Sequence, residues 1–430
     1  MLALTRSLLV GTASFASLLA LTGTAHADDF GTRPAQAASP IAPVDAPPSR
    51  PRPETNRATP PEPSDEPESP PPPQRLDLVP SRSNPELATD PPRDWAVLYG
   101  GLRPTLGTFG GIATLAVAQS RTERFYGAFS LALVRNDAGT HAGALQLALG
   151  RNLADTFAGI AQVSLTENRA RTMRGLLQTT LAYNRAGDFV GLAQAAGYNR
   201  SSEFLGVAQV GGYNRVDHGF TGLAEVGLVN HARGGFTGLV QLGGLAATGR
   251  EIYGYGSSKD GFAGAAQVGL MTSTSGDFDG LVQLGLGAYT GRTFTGLLQI
   301  GARSEAETFR GLAQVGASVV SEKSSYGSQI GLAAMAMREH TGLQIGALAY
   351  AKSTAGAQLG VVNVATEVTG VQVGLVNHAE KLRGLQIGLV NHANDGVLPW
   401  TALLNFGFGD APEPTHDDSI ARASSRATAH

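Results

Sequence analysis

Residues 342–397 consist of four successive 14-residue units: GLQIGALAYAKSTA, GAQLGVVNVATEVT, GVQVGLVNHAEKLR and GLQIGLVNHANDGV. In each unit a glutamine lies two positions after the first glycine, and the residues immediately before and after that glutamine are apolar. A short unit that recurs at a fixed period is typical of repeat architectures, in which neighbouring units bury a shared core. This repeat therefore decides the fold.

The same glutamine recurs toward the N terminus, and we call its position in each unit the anchor. Successive anchors are 14 to 16 residues apart, except for one spacing of 26 that contains an insertion at 249–260. Thr114, Ser130 and Glu225 occupy the anchor in three units, which brings the total to 18 units. The anchor glutamines are Gln146, Gln162, Gln178, Gln194, Gln209, Gln241, Gln267, Gln283, Gln299, Gln314, Gln329, Gln344, Gln358, Gln372 and Gln386.

Alternation around the anchor predicts β-strands. Residues one before and one after it are apolar in nearly every unit, whereas the residue two after it is usually Gly. This period of two is typical of a strand with one aliphatic face and one Gln/Gly face. A row of phenylalanines lies five residues before the anchor, and this odd offset assigns the rings to the aliphatic face, covering a Gly three before the anchor. The row comprises Phe109, Phe125, Phe157, Phe189, Phe204, Phe220, Phe236, Phe262, Phe278, Phe294 and Phe309.

Two all-β architectures make one unit from 14 to 16 residues. In an antiparallel meander each unit is one strand, and closing the sheet gives a large β-barrel of about 18–20 strands that has no free edges. In a β-solenoid each unit is one coil and needs at least two turns. The sequence shows one strong turn per unit, and a second is available at the Gly three before the anchor. We expect the antiparallel barrel, with the β-solenoid as the alternative.

The anchor glutamines are the only candidate site residues. In the barrel they form a belt on the lumen side, where they line a pore for polar solutes or hydrogen bond to one another as a ladder; the sequence leaves both roles open. His231, His378 and His392 recur in a V-N-H-A context, which favours a structural role at a turn over a metal site.

Composition excludes several kinds of chemistry. The chain has no cysteine, so it has no disulfide and no thiol nucleophile. Its net charge of −3 makes a nucleic-acid partner unexpected. The sequence contains no H-E-x-x-H, G-x-S-x-G or phosphate-loop motif. We therefore expect a protein that is not an enzyme, with no catalytic, cofactor-binding or metal-binding residues.

The distribution of residue types predicts four regions. Residues 1–27 have the charge, apolar core and Ala25-His26-Ala27 site of a signal peptide. Residues 28–95 form a disordered Pro-rich linker, because 19 of the 23 prolines lie in 31–95 and this composition cannot bury a core. The β-repeat domain spans 96–410, and a disordered polar tail spans 411–430.

The C-terminal units also resemble a known group of proteins. GLVNHAEKLRGLQIGLVNHANDG (374–396) and PWTALLNFGF (399–408) resemble a family of bacterial surface-repeat proteins built on GLQIGL-N units. The match is close over 342–408 and looser over 109–320, where an extra residue separates Gly from Gln. The resemblance implies an outer-membrane or cell-surface location and brings no catalytic residues with it.

Together these features predict an exported outer-membrane repeat β-barrel, porin-like or structural. The alternative function is a cell-surface β-solenoid for adhesion or scaffolding. The expected partners are outer-membrane lipid and, through the Pro-rich arm, peptidoglycan or a periplasmic protein.

Overall fold

The computed structural model describes residues 94–252 and 260–408. The predicted signal peptide, nearly all of the Pro-rich linker, the polar tail and most of the insertion at 249–260 lie outside these ranges. The described residues are almost entirely strands joined by bends. Over the same ranges, no helix is long and apolar enough to cross a membrane.

One sheet contains all 19 strands. They are β1 (Asp94–Gly101), β2 (Thr105–Ala116), β3 (Gln119–Ala132), β4 (Arg135–Ala148), β5 (Arg151–Val163), β6 (Glu167–Thr179), β7 (Tyr183–Val190), β8 (Ala193–Leu205), β9 (Ala208–Thr221), β10 (Ala224–Ala232), β11 (Phe236–Thr237), β12 (Val240–Thr248), β13 (Phe262–Ala263), β14 (Ala266–Thr274), β15 (Phe278–Asp279), β16 (Val282–Leu284), β17 (Gly287–Ile300), β18 (Arg303–Ala393) and β19 (Trp400–Phe408). β18 passes through six anchors because backbone pairing continues around the corners of its coils.

The coils stack in parallel, so the predicted antiparallel barrel is wrong and the alternative, a β-solenoid, is confirmed. Each anchor pairs with the anchor of the next coil, as in Gln146 with Gln162 and Gln283 with Gln299. Parallel pairing requires the chain to complete a circuit between successive strands, which a single hairpin turn cannot provide. Each 14- to 16-residue unit is therefore one coil.

The second turn of the coil explains why strand parity misled the sequence interpretation. The chain bends three and two residues before the anchor, for example at Gly191-Leu192. Because this bend separates the phenylalanine from the anchor, the alternation of faces does not carry across it. Phe189 and Gln194 therefore both point into the solenoid, whereas Leu192 between them is half exposed. The aliphatic side chains face outward, and the Gln and Phe rows face inward.

Glycine is required where successive coils come closest. At Gly370 the backbone φ is +135°, a region that residues with a Cβ rarely adopt. An added Cβ would lie 2.0 Å from the carbonyl oxygen of Gly356 in the preceding coil. Glycine is therefore required at this position both for its positive φ and for the close approach of the two coil backbones.

The C-terminal strand ends the solenoid in a different way. β19 pairs antiparallel with the end of β18, with Gln386 opposite Asn405 and Gly384 opposite Gly407. The Asn405 amide donates to the Gln386 side-chain oxygen at 3.3 Å, and Asn405 is buried. β19 therefore covers the last coil with a strand of reversed direction.

We predict that Gly370→Ala lowers the free energy of unfolding by at least about 2 kcal/mol, because the new Cβ meets both an unfavourable φ and a backbone oxygen. Gly219→Ala is the matched control, since the nearest atom to its added Cβ is 3.7 Å away. Urea unfolding of the two variants tests the prediction. Equal stability of Gly370→Ala and Gly219→Ala would contradict the close approach of coils.

Interior ladders and candidate functional surfaces

The anchor glutamines form a hydrogen-bonded ladder inside the solenoid that is interrupted once, before Glu225. All 15 are fully buried. The side-chain Nε2 of each donates to the anchor oxygen of the preceding coil, at 2.6 to 3.0 Å over 14 steps from Gln146 to Gln386, apart from the step between Gln209 and Glu225. The structure thus places the predicted belt in a packed interior, where its members bind one another. Such amide ladders use the strand spacing of stacked parallel sheets.

Backbone carbonyls accept further hydrogen bonds from the ladder amides. Gln299 Nε2, for example, also lies 3.1 Å from the Glu305 carbonyl oxygen, six residues later in the same coil. A buried amide that keeps its partners avoids the desolvation cost of an unpaired polar group, about 1–3 kcal/mol each. The ladder therefore fixes both the register between coils and the path of the chain within a coil.

An asparagine ladder, which the sequence interpretation missed, runs beside the glutamines. Asn152, Asn168, Asn184, Asn199, Asn214 and Asn230 are fully buried, and each donates to the next at 2.8 to 3.1 Å. Asn363, Asn377 and Asn391 repeat the pattern near the C terminus. The signal was an Asn five or six residues after the anchor, in Y-N-R and V-N-H contexts.

In several coils, space for this second ladder comes from the glycine two residues after the anchor. A Cβ at Gly388 would lie 2.5 Å from Asn377 Nδ2, and one at Gly211 would lie 2.6 Å from Asn199 Nδ2. At Gly316, which has no asparagine beside it, the nearest atoms to an added Cβ are backbone oxygens, so the asparagine explains the Gly only in the coils that carry one.

The phenylalanine row forms the apolar part of the interior. Neighbouring rings stack at centroid distances of 4.8 to 5.3 Å with interplanar angles of 14° or less. His141 takes one position in the stack, between Phe125 and Phe157, and burial lowers its pKa to about 4. Both of its ring nitrogens lack hydrogen-bond partners. A neutral imidazole therefore serves as a ring in this row.

Glu225 is the one carboxylate in the glutamine ladder. Its Oε2 accepts from Gln241 at 2.8 Å. Its Oε1 has no partner, and neither does Oε1 of Gln209, its neighbour in the preceding coil. Burial raises the pKa of Glu225 to about 8, although the hydrogen bond from Gln241 acts in the opposite direction. A protonated Oε1 would donate to Gln209 as a glutamine Nε2 does, and would complete the ladder.

The outer surface next to the glutamine ladder is aliphatic. We call the outward positions two before, one before, one after and three after the anchor the aliphatic wall. Its most exposed side chains include Leu181, Leu228, Leu286, Leu312 and Leu332, each at least 65% exposed. The sequence predicted one apolar face opposite the glutamines, which in the expected barrel lay outside against lipid. The structure also places these residues outside, but it buries the phenylalanines that were assigned to the same face.

A second outer surface carries tyrosine and arginine. The triplet Tyr-Asn-Arg occurs at 183–185, 198–200 and 213–215, with the Asn pointing inward and its two neighbours outward. Tyr198 and Tyr213 stack at 5.1 Å, and the three arginines are in register with one another. We call Tyr183, Tyr198, Tyr213, Arg185, Arg200 and Arg215 the Tyr–Arg rows. Asp217 accepts from Arg200 and Arg215 at 2.9 and 2.8 Å.

Two of the V-N-H-A histidines, His378 and His392, point outward next to the inward asparagines, whereas His231 is buried with its Nε2 3.0 Å from the Gly249 carbonyl oxygen. His378 and His392 stack at 4.9 Å with their Nδ1 atoms 2.9 Å apart, and His392 also contacts Trp400 at 4.2 Å. Within residues 94–252 and 260–408, no group of three His, Asp or Glu side chains is placed to hold a metal ion.

No protein-family model matches this chain, and no curated protein or solved structure matches it either.

We predict that the stability of the solenoid falls between about pH 4.5 and pH 8 through Glu225. The folded state keeps the carboxyl protonated up to about pH 8, whereas the unfolded chain releases the proton near pH 4.5, so the contribution is complete below pH 4.5 and lost as pH rises through 8. The expected slope is about 1.4 kcal/mol per pH unit.

Glu225→Gln should remove this slope and match the stability of the parent at low pH. Because burial also raises the pKa of Glu305 to about 7, the quantity to compare is the difference in unfolding free energy between parent and Glu225→Gln at pH 5, 7 and 9. A difference that does not change with pH would show that Glu225 does not gain a proton on folding.

Proposed function

We propose that this protein is an exported, non-enzymatic β-solenoid that serves at the outer membrane or cell surface as a scaffold or adhesive surface. The observation that carries the proposal is that outward side chains repeat in straight rows along the solenoid. The Gln, Asn and Phe ladders of the interior keep these rows in register. A ligand with its own repeat would meet equivalent contacts in the successive coils of such a row, about 4.8 Å apart.

The interior supports a scaffold because each coil is held by its neighbours. In a solenoid, stability is approximately the sum of coil and nearest-neighbour terms, so a long rod needs no central globular core. The ladders supply these terms and consist of inward side chains only. Outward residues are therefore free to vary with the ligand, while the fold stays the same.

The Tyr–Arg rows support adhesion more specifically. Tyr183 is half exposed, and Arg185 and Arg200 lie beside the tyrosines on the same outer surface. Aromatic rings and guanidinium groups are the side chains most used in recognition surfaces, because they combine contact area with directed hydrogen bonds. Acidic ligands suit these rows best.

Export rests on the predicted signal peptide at 1–27, and the Pro-rich arm provides reach on the periplasmic side. About 65 residues at roughly 3 Å each would extend on the order of 200 Å. Peptidoglycan or a periplasmic protein is the partner we assign to this arm.

We predict that a membrane-impermeant amine-reactive biotin labels the full chain on intact cells. The four lysines of the chain are Lys259, Lys323, Lys352 and Lys381, and the last two are exposed. A variant with all four replaced by Arg should lose most of the label. This variant controls for reaction of the reagent with groups other than the lysine side chains. Deleting residues 2–27 should abolish labelling until the cells are lysed.

Labelling of the full chain only after lysis would contradict the proposed location. Full labelling of the deletion variant on intact cells would contradict the role of residues 1–27.

A further inference from the structure

The aliphatic wall carries no charge over its whole length. In all 18 coils, the five positions that flank the anchor, from two before it to three after it, contain no Asp, Glu, Lys, Arg or His. The charged residues of the described solenoid lie on its other surfaces, apart from the buried Glu225. The absence of ionisable groups from one side of the solenoid through 18 coils is not expected by chance. This side therefore contacts a different environment from the other surfaces.

The size of the wall exceeds what a soluble monomer normally exposes. Eighteen coils at about 4.8 Å give a length of about 80 Å, and five strand positions give a width of about 15 Å. The resulting area, about 1,200 Å², is larger than the few hundred Å² of typical exposed apolar patches. Something apolar must therefore cover it.

The backbone of the wall is compatible with contact to hydrocarbon. Its N–H and C=O groups bind the neighbouring coils along the rod axis, as between Leu281 N and Ala265 O at 2.9 Å or Leu239 N and Leu223 O at 2.9 Å. Unpaired backbone groups are what exclude most irregular structure from lipid. Here the groups in the wall are paired within the chain, and only side chains meet the outside.

The border of the wall matches a lipid headgroup region in charge and residue type. The Tyr–Arg rows begin directly after the wall positions of their coils, and Trp400 is exposed near the C-terminal end of the same border. Arg169 precedes the rows in the same register, and Arg233 lies beside them, with its Nη1 3.5 Å from Asp217 Oδ1. Tyr, Trp and Arg are the residues that extend from an apolar surface to headgroups, and Arg favours anionic ones.

A second copy of the chain fits the wall less well. The wall is nearly the same at every coil, so two copies could slide by one coil, about 4.8 Å, and meet the same side chains. Specific protein interfaces carry aromatic residues and directed hydrogen bonds, whereas Phe129 is the single aromatic residue among these outward positions. A lipid surface needs neither a register nor directed contacts.

We propose that the aliphatic wall seats this solenoid on a lipid bilayer, with the rod axis parallel to the membrane and the Leu side chains in one leaflet. The protein would thus lie in the interface without spanning it. This proposal specifies how the proposed surface protein attaches to a membrane. It rests on the proposed function only for the identity of that membrane in the cell.

Flotation of the purified protein, processed after residue 27, with phosphatidylcholine vesicles and with phosphatidylcholine–phosphatidylglycerol vesicles tests the proposal. We expect the protein to float with both, and more strongly with the anionic vesicles at low salt. Leu228→Gln, Leu270→Gln and Leu286→Gln combined should weaken binding at least tenfold, because three exposed wall side chains no longer enter the leaflet.

The matched control combines Val190→Gln, Leu205→Gln and Met337→Gln, which make the same kind of change at exposed outward positions outside both the wall and the Tyr–Arg rows. It should bind as the parent does, and both variants should keep the parent's unfolding midpoint, which shows that they fold. A parent that stays unbound with both vesicles, or a control that loses as much binding as the wall variant, would overturn the proposal.

Sedimentation equilibrium without lipid provides the remaining outcome. A stable dimer that the wall variant dissociates, together with no flotation of the parent, would assign the wall to a second copy instead. These measurements use purified protein, so they can fail while surface labelling of cells succeeds, and the two proposals are tested separately.

Discussion

The hydrogen bond between successive anchor glutamines is the constraint on which the solenoid depends. Each amide must reach the anchor oxygen of the coil before it, at 2.6 to 3.0 Å. This reach exists only when the two strands are parallel and in register, about 4.8 Å apart. Once register is fixed in this way, each asparagine, phenylalanine and close glycine lies directly above its counterpart in the preceding coil. Coil length can then vary between 14 and 16 residues, because the turns absorb the difference.

The repeat, the strands and the special glycines were predictable from the sequence, but the pairing direction and the face that carries the phenylalanines were not. Alternation around Gln283 shows correctly that Val282 and Leu284 share one face, and that Gln283 has the other. Which face carries the phenylalanines depends on the bend before the anchor, and that bend leaves only the weak signal of a Gly. Unbroken alternation then assigned the rings to the outward aliphatic face, whereas they are buried.

Ladders explain why glutamine can fill the packed interior in place of aliphatic side chains. A buried Gln is costly when its amide is unpaired, but a column of identical glutamines satisfies each amide with the next. No single unit contains this information, since the side-chain partners of Gln299 are Gln283 and Gln314, which lie in the neighbouring coils. The asparagine ladder was missed for the same reason. Asn is common in turns, and only its recurrence at a fixed distance after the anchor distinguishes a buried row from a series of turns.

The reversed direction of β19 affects how the C-terminal end of the solenoid can pair with another molecule. At the C-terminal end, a parallel coil from another molecule could extend the ladders only by pairing with the last coil, yet β19 already occupies that edge and Asn405 takes the Gln386 oxygen. Terminal caps of this kind keep repeat proteins from joining end to end. The C-terminal end therefore sets a boundary against filament growth.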